Sequence, residues 1–370
     1  MSPPRRQRLA LYRLTGPAGP FAVAAGLAEG DWYRSPVPRT RLKELMRRSD
    51  GPALRDTALW VGLAVAAAAG GVALWGSWGA LPCLLVYGVL YGSASDSRWH
   101  EMGHGTAFRT RWLDEAVYQV ASFCMMREPT VWRWQHARHH SDTLVVGRDA
   151  EIVAMRPARL ARILLNLVGL VDVPLALRLL VVHASGRLTA EERTFVPAEE
   201  ARKVVRLSRI WLAIYLAVIG AAVASGSWIP VVLVGGPRLY GASLFVVYAL
   251  TQHAGLGENV LDHRLNTRTV LMNPVHRFLY LNMNYHTEHH MFPLVPYHRL
   301  PALHEEIKGD LPAPYPSMWA AYRELVPAVL RQLRDPSHFV ERALPPTAAP
   351  YHGPVEGLLP DRLMTEPVPA

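Results

Sequence analysis

Four apolar runs in this 370-residue chain are candidates for crossing a lipid bilayer. Thr57–Trp75 reads TALWVGLAVAAAAGGVALW and carries no charge, and its length is close to the roughly 20 residues that a spanning helix needs. After a short Gly/Ser turn Leu81–Ala94 leads back, and Ile210–Ala224 with Trp228–Leu250 repeats the arrangement. A backbone in hydrocarbon must satisfy its polar groups internally. The runs therefore predict an all-α integral membrane protein with four transmembrane helices in two hairpins.

Polar residues and prolines interrupt two apolar segments. Pro237 and Arg238 break the last run, and since an arginine is costly at mid-bilayer, the predicted span begins near Leu239. The segment Leu160–Val182 is apolar but contains Arg162, Asp172, Pro174 and Arg178. It is interpreted as an interfacial or re-entrant helix.

Lysine and arginine are distributed unevenly between the two predicted sides of the membrane. Residues 1–56 contain eleven of them, whereas the predicted far-side turns, Gly76–Gly79 and Ser225–Trp228, contain none. The positive-inside rule then places the N-terminus in the cytoplasm, which suggests a bacterial inner membrane. Two hairpins return the polar blocks 98–158 and 252–310 to that side, where they are expected to form a cytosolic helical cap.

The chain is expected to consist of three segments. Residues 1–56 form a cytosolic N-terminal segment, 57–310 a membrane-embedded catalytic domain, and 311–370 a C-terminal segment with a flexible Pro/Ala-rich tail. The net charge of +9 is not arranged as a basic stripe with interleaved aromatics, so no nucleic-acid partner is expected. Cys83 and Cys124 are too few for a disulfide framework or a four-thiolate cluster.

Eight of the 16 histidines fall into three compact patterns. HEMGH at 100–104 places two imidazoles at i and i+4, while HARHH at 136–140 and HTEHH at 286–290 each place three at i, i+3 and i+4. On a helix these offsets share one face, with about 5–6 Å between Cβ atoms. Adjacent histidines such as His139 and His140 point about 100° apart and can serve two neighbouring metals.

The number of imidazoles limits the kind of metal site. Neutral imidazole suits zinc, copper, iron and nickel. Eight or nine such ligands exceed the four of a tetrahedral zinc, but they suit two metals with four or five ligands each and open positions for dioxygen. A cytoplasmic site without thiolates favours two iron ions by availability.

The motifs HEMGH, HARHHSDT and NYHTEHHMFP resemble those of the membrane fatty acid desaturase and hydroxylase superfamily, and the resemblance extends from about Trp60 to Lys308. It implies an O₂-dependent di-iron oxidoreductase with a desaturase-like catalytic domain. Members commonly use one more histidine between the second and third motifs, and His253 in LTQHAG matches it. The implied iron ligands are His100, His104, His136, His139, His140, His253, His286, His289 and His290, and all of these except His253 are also assigned as catalytic.

Groups that accept the outer N–H of the imidazoles should orient them. The candidate carboxylates are Glu101, Asp142, Asp149, Glu151, Asp262 and Glu288, and Asn282 or Asn284 is a candidate for holding a metal-bound water. An apolar substrate channel between the spans is expected. The aromatic residues that are candidates for bordering it are Tyr118, Trp132, Trp134 and Tyr248, and the alternative role for each is packing in the core or at an interface. The histidines interpreted as structural are His183, His263, His276, His298, His304, His338 and His352.

Two other classes of protein fit the sequence less well than an oxygenase does. His100-Glu101-x-x-His104 is also a literal HExxH, the signature of a zinc metalloprotease with glutamate as general base. That reading leaves six histidines in two further motifs without a task. A transporter should carry ionisable residues within its spans, but the four runs contain no His, Asp or Glu.

The resemblance leaves the reaction and substrate open. In the first motif three residues separate the two histidines, a spacing that is typical of family members acting on acyl lipids. The leading expectation is therefore an enzyme that introduces a double bond or a hydroxyl into an acyl-lipid chain. The segment GENVLDHRLNTRT at 257–269 also resembles a bacterial branch that includes rhizopine-type hydrocarbon oxygenases, associated with a Rieske-type ferredoxin and small substrates. A hydrocarbon or small-molecule monooxygenase, or an O-demethylase, of the same fold is therefore the alternative. No fused cytochrome b5 motif (HPGG) occurs, so a separate electron donor such as a ferredoxin is expected.

Overall fold

The structure, a computed structural model, describes residues 5–28 and 30–351. Every regular element in these ranges is a helix, and the β contacts found there are the isolated bridges Thr269–Tyr285 and Val270–Tyr315. The predicted all-α class is therefore confirmed for the described part of the chain. His352 and most of the predicted flexible tail lie outside the described residues.

The α-helices of the described ranges are short apart from two. In chain order they are α1 Arg5–Ala10, α2 Ala18–Ala24, α3 Arg39–Leu45, α4 Asp50–Ala73, α5 Ala80–Gly92, α6 Ala94–Gly103, α7 Arg111–Met125, α8 Pro129–Ser141, α9 Leu160–Asn166, α10 Asp172–Ala184, α11 Ala201–Ser225, α12 Ile229–Leu233, α13 Pro237–Tyr240, α14 Ser243–His253, α15 His263–Asn266, α16 Pro274–Leu279, α17 His286–Met291, α18 Leu300–Ile307 and α19 Met318–Arg331. Short 3₁₀ turns cover Glu192–Thr194, Ala198–Glu200 and Tyr297–Arg299.

The first predicted hairpin consists of α4, with 24 residues, and α5, with 13. The alanine-rich sequence of α4 favours a helix, and Gly76, at a φ of +87°, forms the turn that follows. The indole of Trp60 donates a hydrogen bond to the carbonyl of Leu90 at 2.9 Å. This bond ties the two helices together at the end that carries the first histidine motif.

The second predicted hairpin is less regular. The 25-residue helix α11 ends at Ser225 and is followed by Gly226, which has a φ of +61°. The returning run is divided among α12, α13 and α14. Pro237 opens α13, and the side chain of Arg238 is buried inside the protein, where it donates to the carbonyl of Gly92. The predicted interruption at Pro237 and Arg238 therefore corresponds to a break between helices.

Two segments of the described chain contain helices long and apolar enough to cross a membrane. They are Arg39–Ala73, which includes α4, and Ala198–Ser225, which includes α11. The other two predicted spans are not confirmed as single long helices, since α5 is short and the fourth run is broken. The apolar segment predicted to lie at the interface is divided between α9 and α10.

The two hairpins meet where glycines allow their backbones to approach closely. A Cβ atom at Gly241 would lie 1.8 Å from the carbonyl oxygen of Gly88, and one at Gly92 would lie 2.5 Å from the carbonyl oxygen of Pro237. The hydroxyl of Ser93 donates to the carbonyl of Gly241 at 2.5 Å. Contacts this close fix α5, and the histidine helix α6 that follows it, against the second hairpin.

The largest hydrophobic core lies around the helices that carry the histidine motifs. Its fully buried members include Trp99, Phe108, Tyr118, Trp132 and Leu300. The C-terminal segment follows this domain without forming a helix between residues 336 and 351. The amide of Val340 donates to the carbonyl of Gly255 at 2.8 Å.

Candidate metal centre

The three histidine motifs lie on helices or at a helix end. His100 belongs to α6 and His104 is its C-cap residue. The second motif occupies the last turns of α8, which begins with Pro129 and is capped by Glu128 through a hydrogen bond from the amide of Val131 at 2.7 Å. The third motif forms most of the six-residue helix α17. The offsets of three and four residues therefore act as predicted, by placing imidazoles on one helical face.

All nine predicted imidazoles converge on two adjacent positions. In each group the candidate ligand atoms lie within 4.8 Å of one another. The five-imidazole group consists of His100, His104, His136, His140 and His289, and the four-imidazole group consists of His139, His253, His286 and His290.

Adjacent histidines are divided between the two groups, as the helical geometry predicts. His139 lies in one group and His140 in the other, and the same holds for His290 and His289. The ring centroids of His140 and His290, one from each group, are 4.3 Å apart. The two groups are therefore close neighbours, and the spacing suits a pair of metal ions.

In the five-imidazole group the Nε2 atoms lie close to one another, and they do not bond to other groups of the described residues. The Nε2 atom of His136 is 3.0 Å from that of His104 and 3.1 Å from that of His140, which is itself 3.1 Å from the Nε2 atom of His289. The Nε2 atom of His100 is buried and has no hydrogen-bond partner. A buried ring nitrogen without a partner is costly, and a cation at the common point would bind all these lone pairs.

The four-imidazole group shows the same convergence. The Nε2 atom of His286 is 2.9 Å from that of His253 and 3.0 Å from that of His290. The donor set of both groups is imidazole nitrogen without thiolate, which suits iron, zinc or copper. The residues present thus fit a pair of metal ions.

Outer hydrogen bonds orient four of the imidazoles. The Nδ1 atom of His139 is 2.9 Å from a carboxylate oxygen of Asp149, and that of His136 is 3.1 Å from a carboxylate oxygen of Glu151. In the same way Nδ1 of His253 donates to the carbonyl of Asn266 at 2.9 Å. Nδ1 of His290 lies 3.1 Å from the hydroxyl of Thr143. Each bond directs the opposite nitrogen, Nε2, towards the centre of its group.

Burial keeps most of these imidazoles neutral. It lowers the pKa of His104 to about 4 and that of His253 to about 3, helped by the neighbouring His139. Burial and the surrounding imidazoles also hold the pKa well below its usual value in six others, namely His100, His136, His140, His286, His289 and His290. Burial alone would lower the pKa of His139, but the Asp149 carboxylate outweighs it and raises that pKa to about 9. A neutral imidazole is the form that binds a metal.

Glu101, the glutamate of the HExxH sequence, is bonded away from the two groups. Its Oε1 atom accepts hydrogen bonds from the amide of Tyr297 at 2.8 Å and from the hydroxyl of Thr106 at 3.3 Å. Burial raises the pKa of its carboxyl to about 8. It is therefore not placed as a general base beside a metal-bound water.

Of the six predicted orienting carboxylates, only Asp149 and Glu151 bond to a predicted ligand. Asp142 pairs with Arg138 and Arg148, Asp262 pairs with Arg264, and Glu288 bonds to Thr269 and His304. Asn282 bonds to Arg277 and to the carbonyl of Tyr297, and the amide nitrogen of Asn284 donates to the carbonyl of Val270, so neither residue makes a hydrogen bond to a predicted ligand. These polar residues stabilise the surrounding loops instead.

Two outer partners, Thr143 and the carbonyl of Asn266, were not predicted from the sequence. Thr143 follows the second motif by three residues, and the carbonyl of Asn266 belongs to a different loop. A threonine hydroxyl and a backbone carbonyl are ubiquitous, so their role depends on the fold alone. The one sequence feature that could have indicated Thr143 is its position, as a polar residue shortly after a histidine motif.

Among the residues that the structure describes, most histidines that were predicted to be structural bond to protein groups away from the two imidazole groups. His183 bonds to Glu192 at 2.9 Å, and His276 bonds to the hydroxyl of Tyr248 at 2.6 Å. His263 differs from these, because it lies beside the four-imidazole group with its ring centroid 5.1 Å from that of His290.

A cavity of about 870 Å³ reaches the predicted metal ligands. His100, His136, His139, His253 and His286 contribute to its wall. Of the aromatics predicted to border a channel, Trp132 lines the cavity and Tyr118, Trp134 and Tyr248 do not. Many ionisable side chains also line it, namely Arg13, Asp96, Arg127, Glu128, Asp149, Glu151, Arg159, Arg162, Asp172, Arg178, Glu191, Glu192 and Arg238.

The comparisons with known proteins agree with this geometry. A family model described as "Fatty acid desaturase" matches residues 77–322, which is well over half of the chain and includes all three histidine motifs. No curated protein matches the chain.

Proposed function

The chain belongs to the fatty acid desaturase family, and on that premise we propose that it is an O₂-dependent di-iron oxidoreductase that introduces a double bond or a hydroxyl into an acyl-lipid chain. The observation that carries the proposal is the division of nine imidazoles, six of them in buried residues, into two adjacent groups. Adjacent groups of four and five nitrogen ligands suit two metals better than one tetrahedral zinc.

The nine histidines would hold the two irons, and Asp149 and Glu151 would keep His139 and His136 in the ligating orientation. When bound, the iron pair would supply the O₂ activation and the oxidising power, which no side chain provides. The protein's own contribution is to position a C–H bond in the cavity beside His100 and His136 and to limit the entry of water.

The two possible products differ in how many hydrogen atoms leave the substrate. In desaturation a –CH₂–CH₂– unit, O₂, two electrons and two protons give –CH=CH– and two waters. In hydroxylation a C–H bond with the same O₂, electrons and protons gives an alcohol and one water. Both need two electrons from a separate donor, and the choice between them depends on small differences in the placement of the C–H bond.

The proposal includes an integral membrane location, with four spans, an interfacial segment, and the histidine groups on the cytoplasmic face of a bacterial inner membrane. The membrane location is supported by exposed apolar side chains on two of the shorter helices, α5 and α9. On α5, Leu85 is 56% exposed, and on α9, Leu164 is 64% exposed. Exposed apolar surface of this kind is expected where lipid is the solvent.

The experiment is lipid profiling of cells that express the wild type or His139→Ala, together with metal analysis of the purified proteins. A new unsaturated or hydroxylated acyl chain with the wild type only is the expected result. His338→Ala, which changes a histidine outside both groups, is the matched control and should behave as the wild type. An unchanged lipid profile with iron retained would contradict the acyl-lipid substrate.

A second candidate is a monooxygenase or O-demethylase that acts on a small polar molecule and receives electrons from a Rieske-type ferredoxin. The ionisable wall of the cavity favours it, because an apolar chain gains little from a wall with Asp96, Arg127, Asp172 and Arg238. In the profiling experiment this candidate predicts unchanged lipids, iron in the protein, and loss of a methyl ether or gain of a hydroxyl in a small polar metabolite. The metalloprotease reading lacks such support, since Glu101 is bonded elsewhere.

A further inference from the structure

We propose that Trp32 is the point at which electrons enter the protein, and that the surface around it docks a small acidic one-electron carrier protein. The inference rests on the proposed function, which requires an external donor of two electrons. It concerns residues outside the nine imidazoles and outside the substrate cavity.

The first observation is a stack of rings that leads from Trp32 to the four-imidazole group. The rings of Trp32 and His263 are parallel within 6°, with centroids 4.2 Å apart. The ring of His263 is in turn 5.1 Å from that of His290, centroid to centroid. His263 is 3% exposed, as is His290, whereas Trp32 is partly exposed. The stack therefore connects the surface with a predicted ligand.

The second observation is a hydrogen bond that leads from the same indole to the five-imidazole group. The Nε1 atom of Trp32 donates to the carbonyl of Ser141 at 2.9 Å. Ser141 directly follows His140 at the end of α8. One side chain thus has a short connection to a ligand of each group.

Local packing fixes the indole in this position. The amide of Tyr33 donates to the carbonyl of Leu261 at 2.9 Å. Trp32 also packs against a small apolar cluster that contains Leu27, Val145 and Leu261. A side chain held by a ring stack, a hydrogen bond and apolar packing keeps its ring contacts without further ordering when a partner binds.

The proposed reaction requires electron transfer into the iron site, and these contacts provide a route for it. Each turnover needs two single-electron transfers, in each of which the carrier is oxidised by one electron and the iron site is reduced by one. Electron tunnelling weakens steeply with distance through space, and packed rings and hydrogen bonds shorten the gaps. A donor protein in contact with Trp32 would be separated from either group by few such steps.

Charge favours an acidic partner. Arg34, two residues from Trp32, is exposed and makes no ion pair among the residues that the structure describes. Asp31, on the other side of Trp32, is exposed as well and offsets this charge locally. The N-terminal segment 1–56 is nevertheless basic, with eleven Lys or Arg against five Asp or Glu, and the whole chain has a formal net charge of +9. A basic surface steers an acidic partner to its contact site, and such steering weakens as salt is added.

The test injects single electrons next to Trp32 without relying on the natural donor. In a Cys83→Ala background, Asp31→Cys carries a ruthenium photosensitiser, and a flash with a reductive quencher leaves it reduced. The decay of the reduced sensitiser reports the rate of electron transfer to the oxidised iron site. Chelator-treated, iron-free protein shows how much of the decay does not depend on the site.

Replacing Trp32 by leucine should slow this decay at least tenfold, since it removes both the stack and the hydrogen bond. Trp32→Phe keeps a ring but lacks the N–H group, and an intermediate rate is expected. Iron content should be the same in all three proteins. Equal rates in proteins that hold iron reducible by dithionite would overturn the relay and leave the proposed function standing, whereas a protein that never holds iron would overturn both.

A second measurement tests the docking surface with a plant-type [2Fe–2S] ferredoxin as the probe. Its oxidation by the iron-loaded enzyme should slow at least tenfold in Trp32→Leu, and several-fold in Arg34→Glu with a weaker salt dependence. Dithionite should reduce both variants as fast as the wild type. A ferredoxin rate that neither substitution changes would contradict docking at this surface.

Discussion

Asp149 and Glu151 each bond to the outer nitrogen of a different imidazole, His139 at 2.9 Å and His136 at 3.1 Å. Partners of this kind fix which ring nitrogen faces the metal, and their loss typically costs about 10–100-fold in metal affinity or activity. Asp149→Asn is therefore expected to weaken iron binding by about one to two orders of magnitude. Titration of the iron-free protein with ferrous iron measures the change.

The matched control for this prediction is Asp142→Asn, in the same loop. Asp142 is also buried, but it pairs with Arg138 and Arg148 and touches no imidazole. Its replacement should leave the iron affinity unchanged, even if the melting temperature falls. Equal losses of iron affinity in the two variants would show that Asp149 acts only through folding.

Glu101 gives a residue-level test between two kinds of enzyme. In a metalloprotease its replacement by glutamine would remove a general base, which costs about 10²–10⁴ in rate. Here the carboxyl accepts bonds from Tyr297 and Thr106, and a glutamine oxygen can accept the same two. Glu101→Gln is therefore expected to keep both its iron and its oxidising activity, measured by metal analysis and product formation. Loss of the oxidising activity with full metal content would contradict this structural role of Glu101.

Single residues show what the sequence could predict at the site. Eight of the nine imidazoles were predictable because their helical offsets and their recurrence in three motifs are local properties of the chain, whereas His253 was predicted only through the resemblance to a known family. Their outer partners were predicted in part, since Asp149 and Glu151 lie near the second motif, while Glu288 lies inside the third motif and still bonds to His304. Proximity along the chain does not tell which way a side chain turns.

At the scale of helices, Gly92 tests how closely the two hairpins must pack. A Cβ atom there would lie 2.5 Å from the carbonyl oxygen of Pro237 and 2.9 Å from the carbonyl carbon of Gly241. Because both neighbours are backbone atoms, Gly92→Ala is expected to cost about 1–3 kcal/mol, as overpacking usually does. Thermal unfolding in detergent should show a lower midpoint.

Gly62 on α4 provides the matched control, since a Cβ atom there would meet nothing within 4 Å. In a helix, alanine is favoured over glycine by about 1 kcal/mol, so Gly62→Ala should raise the unfolding midpoint slightly or leave it unchanged. A fall of equal size in both variants would contradict the close approach of the hairpins.

The helices also show which structural features the sequence patterns do not predict. The apolar runs predicted the positions of α4 and α11, whose lengths follow from uninterrupted helix-forming residues. The same patterns predicted the interruption at Pro237 and Arg238, but they did not predict the further break between α13 and α14. The buried Arg238 and the close contact at Gly241 are tertiary features, and hydropathy along the chain does not record them.

At the scale of the whole molecule, the proposed topology places two turns on the far side of the membrane. Single cysteines at Ser77 and Ser225, both in exposed positions, should react with a membrane-impermeant maleimide in intact cells when Cys83 and Cys124 are replaced by alanine. A cysteine at Ser185, which is exposed on the predicted cytoplasmic side, should react only after permeabilisation. Labelling of Ser77→Cys and Ser225→Cys from opposite sides would contradict the two-hairpin arrangement.

The proposed function depends most on two metals held by imidazoles from three distant stretches of the chain. Elemental mass spectrometry of the purified, fully loaded protein measures this directly. We expect two irons per chain in the wild type and a loss of iron in His140→Ala and His290→Ala, one from each group. A single zinc per chain, or a metal content that both substitutions leave unchanged, would contradict it.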